Sequence, residues 1–122
     1  MSKGKILIAE DDAVLRSLYV KKLTMEGYET ETVEDGEQAI AALRKQAPDL
    51  LICDIHMPKV DGFQVLKEFP PQSRTFPIIV LTNFDQADFK LRAQELGANE
   101  YFVKKDMTIK GLVEMVERLR HL

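Results

Sequence analysis

Cysteine is almost missing from this 122-residue chain. A lone Cys53 cannot close an internal disulfide, so burial has to hold the fold, and the length suffices to close a core without staples. No apolar run approaches the roughly 20 residues that span a bilayer, and nothing at the N-terminus has the pattern of a signal peptide. An excess of charge of one sign is also lacking: the formal net charge is −3, which argues against general affinity for nucleic acid or anionic membranes. Linkers, low-complexity tracts and solenoid repeats are absent as well. What remains is the expectation of one cytoplasmic domain over residues 1–122, with 45% hydrophobic and 30% charged residues in a globular balance.

Within it, short apolar runs alternate with longer amphipathic ones. Ile6–Ala9, Leu50–Cys53, Ile78–Leu81 and Tyr101–Val103 are continuous, as expected of strands buried on both faces of a parallel sheet. Tyr28–Val33 alternates with polar residues and suits a sheet edge. Helix signals lie between them. Asp12 is placed to cap a helix ending near Gly27, Asp35 and Gln38 form a capping-box pattern, and Asp85 opens a helix ending at Gly97. A short third helix from about Gly62 stops at Pro70-Pro71, and a last one over Ile109–Leu119 carries Leu112, Val113, Val116 and Leu119 on one face. Five such units predict an α/β, doubly wound parallel sheet with helices on both faces, whose ligand sites lie at the carboxyl ends of the strands.

The chemistry falls at those ends. The first strand empties into Glu10-Asp11-Asp12, the third ends in Asp54, Thr82 follows the fourth and Lys104 the fifth. Clustered carboxylates repel unless a cation binds between them, and Mg²⁺ prefers such hard oxygen ligands together with water and phosphate. An aspartate carboxylate is a competent nucleophile toward phosphorus. An ammonium and a hydroxyl can supply the charge and hydrogen bonds that a transferring phosphoryl group needs. Cys53, flanked by Leu51 and Ile52, reads as core filler, Asp12 as a helix cap rather than a ligand, and Asp61-Gly62 as the turn into the third helix. The His56 side chain is expected to face solvent, and Leu15 and Leu18 to pack at least partly on the sheet.

On these residues the chain resembles the receiver domain of two-component response regulators, and is similar to the single-domain chemotaxis and sporulation regulators. The resemblance runs from Lys5 to Leu119. It rests on Glu10-Asp11-Asp12, on the segment Asp54-Ile55-His56-Met57-Pro58-Lys59-Val60-Asp61-Gly62, and on Thr82 and Lys104. It implies a flavodoxin-like sheet of order 2-1-3-4-5 with five helices, an order taken from the family. It implies further that Asp54 accepts phosphate from a phosphohistidine on a sensor histidine kinase or histidine phosphotransfer protein. Glu10, Asp11 and Asp54, with the main-chain carbonyl of His56, would bind Mg²⁺; Thr82 and Lys104 would contact the phosphoryl group, and Tyr101 would be the aromatic switch. The donor would dock near the start of the first helix, on the Leu15 side. A downstream protein or a second receiver would bind the fourth helix, fifth strand and fifth helix. The protein would then be a signalling phosphoacceptor with slow self-dephosphorylation at most, not an enzyme, binding neither nucleic acid nor membrane through this domain.

Some positions depart from the family pattern. Lys105 stands where most receivers have proline after a typically cis bond, a geometry that is costly without proline. Asn83 replaces a small residue and could narrow access to Asp54. His56 and Phe84 fall where receivers tune hydrolysis of the acyl phosphate. These departures give footing to an alternative, a pseudo-receiver docking module that is never phosphorylated. Other aspartate-nucleophile or nucleotide folds fit less well. A dehalogenase-like phosphatase needs an Asp where His56 stands, a flavodoxin needs hydroxyls where Glu10-Asp11-Asp12 stand, and no G-x-G-x-x-G follows the first strand. A chain that stops soon after its fifth helix is expected to be either a stand-alone regulator or part of a longer protein.

Overall fold

A computed structural model describes residues 2–83 and 87–120. Phe84, at a position where receivers tune hydrolysis, and Asp85, expected to open a helix, lie outside them. Strands β1 (Lys5–Ala9), β2 (Glu29–Val33), β3 (Leu50–Asp54), β4 (Ile78–Thr82) and β5 (Glu100–Val103) alternate with helices α1 (Ala13–Met25), α2 (Gly36–Lys45), α3 (Gly62–Glu68), α4 (Ala87–Glu95) and α5 (Ile109–Leu119). All strand pairs are parallel and the order is β2-β1-β3-β4-β5, as the resemblance implied. No helix among the described residues is long and apolar enough to cross a membrane.

Strand alternation splits the interior in two. Leu7, Ala9, Leu51, Cys53, Ile78 and Val80 face one layer, closed by Ala39 and Leu43 of α2, Phe63 and Leu66 of α3 and Ala93 of α4. Ile6, Ile8, Leu50, Ile52, Ile79 and Leu81 face the other, closed by Tyr19 and Leu23 of α1 and by Leu112, Met115, Val116 and Leu119 of α5. β1, β3 and β4 are buried almost throughout. β5 corrects the expectation drawn from its apolar run: every residue in it is half-buried, because it forms the edge opposite β2 and no strand among the described residues pairs beyond it.

The caps follow the sequence closely. Asp12 Oδ1 accepts from the amides of Val14 and Leu15 at 2.9 and 3.1 Å, and Asp61 Oδ1 from that of Gln64 at 2.9 Å. At α2 the box is displaced by one residue. Asp35 accepts from the Gln38 amide at 2.8 Å, but Gln38 Oε1 reaches back to the amide of Glu34 at 2.9 Å, not to that of the cap. Leu18 is a second correction, being 43% exposed. The stripe of α1 that meets the sheet runs through Leu15, Tyr19 and Leu23, spaced by four, and Leu18 falls off it.

Candidate functional site

Register brings the carboxylates together. Ala9 pairs with Cys53, so Glu10 and Asp54, one residue further on each strand, stand level on neighbouring strands about 4.8 Å apart. Asp54 pairs with Leu81, and Leu81 with Phe102. Lys104 is two residues beyond Phe102 and so keeps the same parity. Its long stem reaches back across the sheet edge. Nζ lies 2.7 Å from Glu10 Oε1 and 3.1 Å from Asp54 Oδ2, and the lysine side chain is only 8% exposed. Thr82 and Tyr101 have the opposite parity, that of the layer under α2, α3 and α4. Four strands thus carry two sets, an ionic trio from β1, β3 and β5 on the α1/α5 side, and Thr82 of β4 with Tyr101 of β5 on the other.

Burial governs the charges in the trio. Glu10 is 1% exposed, and desolvation, ahead of the Lys104 contact that opposes it, pushes its carboxyl up to about 7. Asp54 is also raised by burial, but Lys104, the contact with Glu10 and the His56 amide (3.3 Å from Oδ1) all favour its ionised form. The contact between the two acids raises Glu10 and lowers Asp54, so a proton shared by the pair resides on Glu10. Folded Glu10 therefore keeps a proton that the unfolded chain releases near its ordinary value of 4.5. Apo stability should fall as pH climbs from that value to about 7 and level off above it. Thermal melts across this window should show the slope in the wild type and a flatter profile in Glu10→Gln. Equal slopes would remove Glu10 as its source.

One oxygen from each of Glu10, Asp11 and Asp54 lies within 4.8 Å of the others. Asp11 and Asp54 edge an open cleft of about 410 Å³ lined also by Asp12, His56, Asn83 and Lys104, with Glu10 buried behind it. Asn83, expected to narrow access, is exposed and lines this cleft. The Lys104–Lys105 bond is trans, since no peptide bond among the described residues is cis, and the two lysines start a 3₁₀ turn over Lys104–Asp106. The turn after Asp54 is held from below by Gly62, whose amide donates to the Ile55 carbonyl at 2.8 Å. A Cβ at Gly62 would strike the carbonyl of Asp54 itself and sit 2.8 Å from Ile55 Cα. Gly62→Ala should therefore cost about 1–3 kcal/mol and displace the Asp54 loop, read as a loss in denaturant midpoint together with amide shifts at Asp54–Met57.

A family model for the response regulator receiver domain matches residues 6–117. The chain belongs to the response regulator receiver family. It is 37% identical over 100 residues to the alkaline phosphatase synthesis transcriptional regulatory protein PhoP of Bacillus subtilis, covering 82% of this chain and 42% of that one. Against the transcriptional regulatory protein PdtaR of Mycobacterium tuberculosis it is 39% identical over 114 residues, covering 93% of this chain and 55% of that one. The receiver thus spans roughly half, or less, of these curated relatives. The chemotaxis response regulator CheY4 of Vibrio cholerae superposes with a TM-score of 0.85 at 30% identity, over 98% of both chains.

Two features of this receiver were not singled out from its sequence. The His56 ring is exposed, as expected, yet it also lies 5.8 Å from the Phe89 ring of α4. Phe89 meets Phe63 of α3 edge-on at 5.6 Å, and the Arg92 guanidinium sits 4.2 Å over Phe63. This ladder ties the loop after Asp54 to a helix with a single fully buried residue, Ala93. The second feature is Arg16, which folds back over the acidic turn. Its signal in the sequence was a cation one turn into the helix that follows three acids, but no local pattern distinguishes that from an ordinary surface arginine.

Proposed function

We propose that this receiver accepts a phosphoryl group from a phosphohistidine onto Asp54 with the help of Mg²⁺, and that the modified site alters its partner-binding surface. The observation that carries the reading is the convergence of three carboxylates on one edge with a buried lysine bridging two of them. The donor set fits the ion: hard oxygens of net negative charge, open to a cleft with room for water and phosphate. Glu10, Asp11, Asp54 and the main-chain carbonyl of His56 would hold Mg²⁺, which when bound neutralises the carboxylates and stabilises charge on the phosphoryl oxygens. Asp54 attacks phosphorus as the bond from phosphorus to the donor imidazole nitrogen breaks, and the imidazole retains the electron pair of that bond. Lys104 leaves Glu10 for a phosphoryl oxygen, while Thr82 donates its hydroxyl from the opposite parity.

A shift of Thr82 toward the phosphoryl group is the proposed link to Tyr101, which shares its face of the sheet and packs against the α2/α3/α4 layer. The donor protein would approach the start of α1, where Val14 is 77% exposed and Leu15 and Leu18 extend the apolar edge. A downstream protein or second receiver would meet α4, β5 and α5. The departures at Asn83 and Lys105 leave the ionic trio intact, so they do not favour the docking-module alternative. Incubation with acetyl phosphate and Mg²⁺ followed by intact-mass measurement tests the reading: one added phosphoryl group is expected, and none is expected without the metal. Backbone NMR with a phosphoryl mimic should move Asn83, Tyr101 and α4 and leave β2 nearly still. Perturbation confined to residues touching the mimic would count against the switch.

A further inference from the structure

Glu10, Asp11 and Asp12 are consecutive acids on a tight connection, with Glu10 level with a fourth acid, Asp54. Left to electrostatics the connection would rotate these side chains apart into water. It is held instead by the main chain. The Glu10 amide donates to the Val33 carbonyl at 3.1 Å, and the Asp12 amide to Glu10 Oε2 at 3.2 Å. A further constraint is the Arg16 side chain. Its Nη1 donates to the Glu10 carbonyl at 2.8 Å and to the Asp11 carbonyl at 3.4 Å, while Nη2 pairs with Glu34 Oε1 at 3.2 Å. The arginine side chain is 18% exposed and Glu34 63%, so the guanidinium is largely covered where it meets the Glu10 carbonyl, while its ionic partner stands in solvent.

The choice of acceptors matters. A cation among acids would ordinarily pair with their carboxylates and consume the ligand oxygens, as Lys104 does. Arg16 takes only carbonyls from Glu10 and Asp11 and leaves Asp11 Oδ to the cleft. A planar fork of donors can hold two carbonyls and a carboxylate at once; a lysine ammonium is a point charge and cannot span them. We infer that Arg16 is a positioning residue for the cation site: anchored by Glu34 from the β2–α2 loop, it sets the main chain of Glu10 and Asp11 so that their carboxylates converge with that of Asp54. The inference rests on the Mg²⁺ reading above. It also differs in sign from the simple charge effect, since removing a cation near an acidic cluster would otherwise strengthen Mg²⁺ binding.

Titration of Mg²⁺ into the ¹⁵N-labelled full chain, followed by amide shifts at Asp11–Ala13, separates the two. Arg16→Ala should weaken affinity about tenfold, the scale of losing an outer-shell support. Arg16→Lys, which restores the charge, should recover only a minor part of that loss. Without metal, the Asp12 amide should exchange faster in both variants than in the wild type. Unchanged or tighter binding in Arg16→Ala would overturn the role, as would wild-type affinity in Arg16→Lys, which also carries the test if the alanine variant fails to fold. The Glu10→Ala/Asp11→Ala double variant distinguishes the underlying reading. If the wild type shows no Mg²⁺ response, or the double variant keeps full affinity, the cation site itself is wrong and the Arg16 role falls with it.

Discussion

Asp54→Asn is expected to remove phosphoryl incorporation completely while raising the stability of the apo domain. Asparagine keeps the shape of the side chain and an oxygen for the His56 amide, now 3.3 Å from Oδ1. It has no anionic oxygen to attack phosphorus, and no other described carboxylate lies within the ion-pair reach of Lys104 except Glu10, which is 1% exposed. Loss of labelling should therefore be total with acetyl phosphate and with a phosphohistidine donor alike. The stability gain follows from the same geometry. Two carboxylates level on adjacent strands become one, and Lys104 then serves Glu10 alone. Intact mass and a thermal melt on one preparation check both arms. Labelling that persists at wild-type level would move the acceptor elsewhere, and a melt that drops would show that the Asp54 charge stabilises the apo site.

Lys104→Met should have the largest effect on the resting protein. Methionine fills the volume of the stem but leaves Glu10 and Asp54 buried without their shared counter-charge, a change that costs about 3–5 kcal/mol when the partners stay ionised. Glu10 can escape by holding its proton, so the cost should depend on pH. It should be smaller near pH 5, where Glu10 holds a proton and only Asp54 lacks its counter-charge, and grow as pH rises past the value of about 7 at which Glu10 ionises in the wild type. Mg²⁺ should recover much of the loss at high pH by replacing one cation with another. Melts at pH 5 and pH 8, with and without Mg²⁺, decide the matter. A drop of equal size at both pH values, unaffected by metal, would mean that Lys104 supports the fold by packing and not by charge.

The site was legible in the sequence to an unusual degree because each functional group directly ends an apolar run. Glu10 follows Ala9, Asp54 follows Cys53, Thr82 follows Leu81 and Lys104 follows Val103. A run of buried residues marks a strand, a polar residue after it marks the carboxyl end, and parallel connection puts all such ends on one edge. Caps were legible for the same local reason, since Asp12, Asp35 and Asp61 each bond within their own first turn. The α2 box was misread locally, by one residue, and two other misreadings were questions of neighbours. The run Tyr101–Val103 looks like an interior strand but closes an edge, and Leu18 looks like core but lies off the stripe set by Tyr19 and Leu23.

By itself, then, the sequence determined the number and order of strand–helix units and the chemical groups at the sheet edge, because burial periodicity and capping act within a few residues. Only the tertiary structure decided which groups meet. Register sets Glu10 level with Asp54, parity sends Lys104 toward them and Thr82 to the other face, and the Arg16 fork closes on two carbonyls and on Glu34. It decided also that Glu10 holds its proton to about neutral pH, since that follows from desolvation. Desolvation and pairing depend on what the rest of the chain places around a residue, and no local pattern records that.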